Sequence, residues 1–253
     1  MYIDTHCHLD DKRFDLANVI AEYERLGVSK VINVACNLQS SKIGQALSQK
    51  YESVYFAVGY HPSDVEDYNR ENEKELIKFL SDPKCVAIGE IGLDYHWQPY
   101  DKEKQINAFI SQLEIANSYG LPVSVHSRDA TADMLDILKQ NKSKLSHGGV
   151  MHCFSGSIET ARELLKLGFM LGFGGTVTFK NSRNLPEVAR FCPLDSILTE
   201  TDSPYLSPEP FRGSINQPKN IPVITAFLAH LKGIDNVELA DKIMNNAKRL
   251  FKI

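Results

Sequence analysis

Apolar positions in this chain fall in short, nearly unbroken runs separated by stretches of helical period. The runs lie at residues 2–3, 31–35, 54–59, 85–89, 122–125, 149–151, 169–173 and 196–199. Each is strand-length, and most lack the polar alternation of a half-exposed strand. Both faces are therefore expected to be buried, as in a parallel sheet. Between the runs, residues 16–26 are amphipathic. Asn72 is expected to cap a helix carrying Leu76, Phe79 and Leu80, with Glu75 completing a capping box and Pro83 beyond its end. Asp101 caps a longer helix that presents Ile106, Phe109, Ile110 and Leu113 on one face and stops at Gly120. Residues 157–167 form another, ended by Gly168, and Ala240, Ile243, Met244, Ala247, Leu250 and Phe251 make one face of a C-terminal helix.

Eight strand-then-helix units in succession predict the α/β class and a single-domain (β/α)8 TIM-type barrel over residues 1–253. A doubly wound open sheet is the competing arrangement, but it calls for a glycine-rich turn after the first strand. Here that turn holds Thr5-His6-Cys7-His8. No linker, repeat or low-complexity stretch divides the chain.

Length and composition agree with this picture: 253 residues suit one barrel, and 43% hydrophobic with 24% charged residues is ordinary for a soluble globular chain. The net charge of −4 provides no general attraction for polyanions, so any such ligand must be held locally by cations. Five dispersed cysteines without a C-x-x-C pair argue against a disulfide framework and for a reducing compartment. With no leader-like segment and no apolar run of membrane-spanning length, the expected location is cytoplasmic, away from membranes.

In a (β/α)8 barrel the chemistry sits at the C-terminal ends of the strands. Those ends carry His6 and His8 on the first strand, His61 on the third, Glu90 on the fourth, His126 on the fifth, His152 on the sixth and Asp202 on the eighth. A lone strand-end histidine is ordinarily a satisfied polar residue, but metal-type side chains on so many strands point to a shared centre. The set is too large for one tetrahedral ion and suits two ions bridged by a carboxylate, with Glu90 as the bridge. His6, His8 and Asp202, on adjacent strands, complete one ion; His126 and His152 complete the other. Histidine-rich ligation favours Zn, Mn or Co over Mg.

The segments Asp4-Thr5-His6-Cys7-His8-Leu9, Gly89-Glu90-Ile91-Gly92-Leu93-Asp94-Tyr95, His126-Ser127-Arg128, His152-Cys153-Phe154-Ser155-Gly156 and Thr199-Glu200-Thr201-Asp202-Ser203-Pro204-Tyr205 resemble the TatD family of metal-dependent deoxyribonucleases, within the amidohydrolase-like barrels. Arg212-Gly213 with Asn216 and Pro218 extends the resemblance, which covers essentially the whole chain. It implies a TIM-type barrel, divalent metal ions and hydrolysis of DNA phosphodiester bonds, and it supports His6, His8, Glu90, His126, His152 and Asp202 as ligands. Family members are described as magnesium-dependent, so Mg joins Zn, Mn and Co as candidate ions. The residues Ser214-Ile215 and Gln217 depart from the family pattern and leave substrate preference near that loop open.

The expected function is thus an exonuclease-type DNase working through a metal-activated water, with single strands or ends as substrate and no obligate protein partner. Asp202 and Glu90 are the expected catalytic carboxylates, and Asp202 accepts the water's proton. His61, Arg128, Lys180 and Arg212 are candidate substrate contacts; Glu200 and Asp94 are candidates for orienting ligands from behind. Glu200 is expected on the same face as Asp202 by strand alternation. Cys7 and Cys153 are expected to face away from the metals, also by alternation. Trp97, Tyr100 and Phe179 can stack on bases, although single aromatics more often pack. A metallo-amidohydrolase or aminoacyl-ester deacylase using the same metal pair is the main rival, and a non-catalytic metal-binding scaffold the second. Glu90 at the fourth strand, where many amidohydrolases carry a bridging lysine, favours the phosphodiesterase.

Overall fold

The strands pair in sequence order in one parallel sheet of eight. In a computed structural model describing residues 1–253, these are β1 (Tyr2–Cys7), β2 (Val28–Val34), β3 (Val54–Val58), β4 (Cys85–Asp94), β5 (Val123–Arg128), β6 (Gly149–Met151), β7 (Phe169–Phe173) and β8 (Ile197–Thr199). Closure between β8 and β1 runs through side chains and loop backbone. Thr5 Oγ1 donates to Thr199 O at 3.0 Å, Asp202 N–H to His6 O at 2.9 Å and His8 N–H to Ser203 O at 2.8 Å. The result is the TIM-type barrel, with its helices outside and one contiguous apolar core.

The helices are α1 (Leu16–Arg25), α2 (Leu38–Lys50), α3 (Arg70–Lys78), α4 (Lys102–Tyr119), α5 (Thr131–Gln140), α6 (Ile158–Lys166), α7 (Leu185–Phe191), α8 (Ile221–Lys232) and α9 (Asn236–Phe251). Asp101 caps α4 by accepting from Lys104 N–H, and Ser157 caps α6 by accepting from Thr160 N–H. The expected cap at Asn72 is corrected. Asn69 caps α3, its Oδ1 accepting the amides of Glu71 and Asn72 at 3.0 Å, while Asn72 lies inside the helix and donates to Asp67 O. Glu75 makes no capping box; it pairs with Lys78 on the exposed face. No helix is long and apolar enough to cross a membrane.

Two strands run further than their apolar runs suggest. β4 continues through Glu90 to Asp94, and β5 continues through His126 to Arg128, so both of these metal-type residues lie inside strands. Gly92 makes this possible. Its φ of +142° suits glycine, and a Cβ there would collide with the carbonyl of His126 on the neighbouring strand.

Candidate metal centre

Glu90 sits at the middle of the site, buried to 4% exposure, with its two oxygens facing different histidines. Oε2 lies 3.4 Å from His6 Nε2 and 3.9 Å from His8 Nε2. Oε1 lies 2.8 Å from His126 Nδ1 and 3.7 Å from both His61 Nε2 and His152 Nε2. Asp202 closes the opposite side, with Oδ1 3.3 Å from His8 Nε2, 3.5 Å from His152 Nε2 and 3.9 Å from His6 Nε2. His6 and His152 stack with ring centroids 3.5 Å apart. The potential donor atoms of His6, His8 and Glu90 lie within 4.8 Å of one another, as do those of His6, His152 and Asp202 and those of His61, Glu90 and His126.

Hydrogen bonds at the back of each ring decide which nitrogen is free to coordinate. His8 Nδ1–H donates to Val34 O at 2.9 Å, which leaves Nε2 toward the centre. His126 turns Nε2 to Asp94 Oδ2 at 3.0 Å and Nδ1 inward. His152 Nδ1 lies 3.0 Å from Glu200 Oε1, off the best hydrogen-bonding direction, with Nε2 inward. His6 Nε2 is buried and has no hydrogen-bond partner. His61 differs from these four. Its Nδ1 accepts the amide of Ser63 at 3.1 Å, and burial, the largest influence on it, pulls its pKa down to about 4. The neutral ring therefore carries its proton on Nε2, the nitrogen that faces Glu90.

The charges follow from this crowding. Burial raises the Glu90 pKa, but the imidazoles of His61, His152 and His6 around it and its hydrogen bond with His126 outweigh burial and hold the carboxyl well below its ordinary value. Asp202 is lowered in the same way, burial being outweighed first by His152 and then by His8. Burial opposes charge on His126 and His152 as well. Hydrogen bonds that His126 donates to Asp94 and Glu90 nevertheless raise it to about 9, and the charges of Glu200, Glu90 and Asp202 raise His152 to about 9.

Glu200 is fully buried and accepts the backbone N–H of Cys153 through Oε1. It passes so close to Gly172 on β7 that a Cβ there would overlap its carboxylate. The alternation argument for Glu200 and Asp202 does not hold, because β8 ends at Thr199 and Asp202 has φ +55°. A turn, rather than a strand, brings both toward His152. Cys7 is buried with Sγ 3.4 Å from Ile32 O, away from the centre. Cys153 is corrected: it lies beyond β6 at φ +44°, so strand alternation does not apply to it. It lines a polar cavity of about 370 Å³ beside Arg128 and His152.

The centre opens into a cavity of about 490 Å³ whose wall includes His61, Arg128, Trp97 and Tyr205. Arg128 is the one arginine or lysine in that wall. Lys180 and Arg212 are not part of it: Lys180 is exposed, and Arg212 lies over the Phe179 ring at 4.3 Å and donates to Asn181 Oδ1. Strand-end reasoning did not single out Cys36 or Ser63, which also line the cavity. Neither follows a motif, and only the fold brings them there.

The family model described as TatD related DNase matches residues 3–252. The uncharacterized metal-dependent hydrolase YabD of Bacillus subtilis is 40% identical over 255 residues, covering 100% of both chains. The uncharacterized metal-dependent hydrolase YcfH of Escherichia coli is 40% identical over 257 residues, covering 99% of this chain and 96% of its own. The crystal structure of YjjV, a TatD homolog from Escherichia coli, superposes with a TM-score of 0.93 at 34% identity, covering 100% of this chain and 98% of that one. With the match running over the whole barrel and through every strand that bears on the centre, the chain belongs to the TatD-related DNase family of metal-dependent hydrolases.

Proposed function

We propose that the protein hydrolyses phosphodiester bonds in DNA, with divalent cations that the histidines and carboxylates around Glu90 would hold. The observation that carries this reading is the division of Glu90: its oxygens face separate histidine groups, at the floor of a cavity whose one strong cation is Arg128. A buried ring nitrogen without a partner, such as His6 Nε2, costs about 1–3 kcal/mol unless something binds it. The donor set, imidazole nitrogens and carboxylates whose outer atoms are already engaged, fits divalent cations.

His6, His8, Glu90 and Asp202 would hold one cation, and Glu90, His126 and His152 the other. When bound, such ions neutralise phosphate charge and acidify a coordinated water. Asp202 accepts the proton of the attacking water at its carboxylate. Asp94 and Glu200 keep the His126 and His152 rings oriented from behind. His61 donates from Nε2–H to a phosphate oxygen, the part its tautomer allows. Arg128 pairs with the anionic substrate from the wall. A phosphodiester carries a standing negative charge that matches that guanidinium already in the ground state, as a neutral amide or ester centre does not, which favours a phosphodiester substrate.

The test is hydrolysis of labelled single-stranded DNA by chelator-stripped protein with Mg, Mn, Co or Zn restored singly. The expected result is metal-restored cleavage with mononucleotides released from an end. Intact DNA under every ion, together with turnover of a carboxylic ester or amide, would assign the centre to acyl chemistry instead.

A further inference from the structure

Trp97 is the only tryptophan of the chain, and 64% of its surface is open to solvent. A ring of that size normally gains stability by burial, so an exposed one that is also held in place calls for another role. Trp97 is held through the two residues before it and through its ring. Tyr95 N–H donates to Arg128 O at 2.9 Å, and the Tyr95 ring stacks on Tyr100 at 5.0 Å. His96 Nδ1 pairs with Asp129 Oδ2 at 2.8 Å and meets the Trp97 ring edge-on at 4.9 Å. The Arg128 guanidinium lies over the indole, 5.3 Å from its centroid. The turn after β4 is thus fastened to the turn after β5, which fixes Trp97 relative to Arg128.

The position matters as much as the exposure. Trp97 and Arg128 line the cavity above Glu90 together, and Trp97 also forms a wall of an adjoining slot of about 190 Å³ with Pro62, Ser63, Pro99 and Tyr100. A base next to a phosphate bound at the centre would lie within the cavity that this ring walls. Stacking on an aromatic face needs no particular base and requires only that the base be unpaired.

We infer that Trp97, backed by Arg128, is a stacking subsite for the nucleobase next to the phosphate at the centre. This rests on the reading of DNA as substrate. The subsite acts on binding, so its loss should appear in KM while kcat is preserved.

Because Trp97 is the sole tryptophan, its emission reports the contact directly. The magnesium-loaded protein is titrated with a phosphorothioate single strand about eight nucleotides long, which resists hydrolysis. Saturable quenching is expected with this strand, and none with an abasic strand of the same length. In turnover of ordinary single-stranded DNA, Trp97→Ala should raise KM about 5- to 150-fold with kcat within a few-fold, and Trp97→Phe should recover most of the loss. If wild-type protein cleaves DNA but its emission is unchanged and Trp97→Ala leaves KM as it was, the stacking subsite is overturned while the nuclease reading stands. If wild-type protein neither binds nor cleaves DNA with any ion, both fall.

Discussion

Asp4 and Thr201 are joined twice across the seam of the barrel: the Asp4 carboxylate accepts the Thr201 amide at 2.9 Å and the Thr201 hydroxyl at 2.5 Å. Asp4 lies two residues before His6, and Thr201 immediately precedes Asp202. This pair ties two metal-type side chains from opposite ends of the sequence to one rigid point. Thr201→Val keeps the shape and removes the hydroxyl, leaving a buried carboxylate short of a donor. The expected cost is about 1–3 kcal/mol of stability, read from denaturant unfolding, with reduced turnover as the Asp202 turn loosens.

Asp202→Ala should leave the fold intact and lower kcat by at least about a hundredfold, the usual contribution of a positioned base. Circular dichroism and turnover with a restored cation check the two halves. A variant that still turns over near the wild-type rate would remove Asp202 from the reaction.

Glu90→Gln leaves the histidines in place and takes away the negative charge between them. If two ions are bound as proposed, metal content after dialysis should fall from two per chain in the wild type toward one or none in the variant, because a carboxamide bridges cations poorly. Elemental analysis of the purified protein gives the count. Two ions retained by the variant would refute a bridging role.

Gly172→Ala and Glu200→Gln probe the same contact from two sides, since a Cβ at residue 172 would overlap the Glu200 carboxylate. Each should weaken metal affinity or activity by about 10- to 100-fold, the range for groups that orient a ligand from behind. The double variant should be little worse than either single one, because both disturb one His152 orientation.

Metal uptake should depend on pH in a defined direction. In the metal-free protein His126 and His152 titrate near 9, so at neutral pH both rings hold a proton that a cation must displace. Apparent affinity is expected to rise with pH up to about 9, with proton release visible by calorimetry in buffers of different ionisation enthalpy. The same shifts act on stability. A histidine raised above its ordinary 6.5 stabilises the fold fully below that pH and loses the contribution as pH rises through about 9. The metal-free unfolding midpoint should therefore fall across that window, while loading with a cation should remove this slope.

Much of the architecture can be read from local pattern. Unbroken apolar runs such as 169–173 signal strands buried on both faces, and Asp101 and Ser157 announce helix starts through short-range hydrogen bonds. The pattern is silent where local preference is weak. α2, rich in serine and interrupted by Gly44, and the nearly all-apolar α8 show no clean amphipathic stripe, because their burial is set by neighbours rather than by period. Asn69 and Asn72 are equally good caps on paper, and both donate to Asp67 O; what sets Asn69 apart is that its Oδ1 accepts the free amides of Glu71 and Asn72.

The sequence by itself determined the class of fold and the chemical inventory of the centre, because strand-end histidines and carboxylates in a parallel barrel converge on one rim whatever the loops do. Only the tertiary structure decided the arrangement within it. That Glu90 faces two ways and that Glu200 stands behind His152 depend on atoms distant in the chain: Gly92 against His126, and Gly172 making room for a carboxylate. Such contacts are set by angstrom-scale packing between strands, and the spacing of residues along a chain carries no record of them.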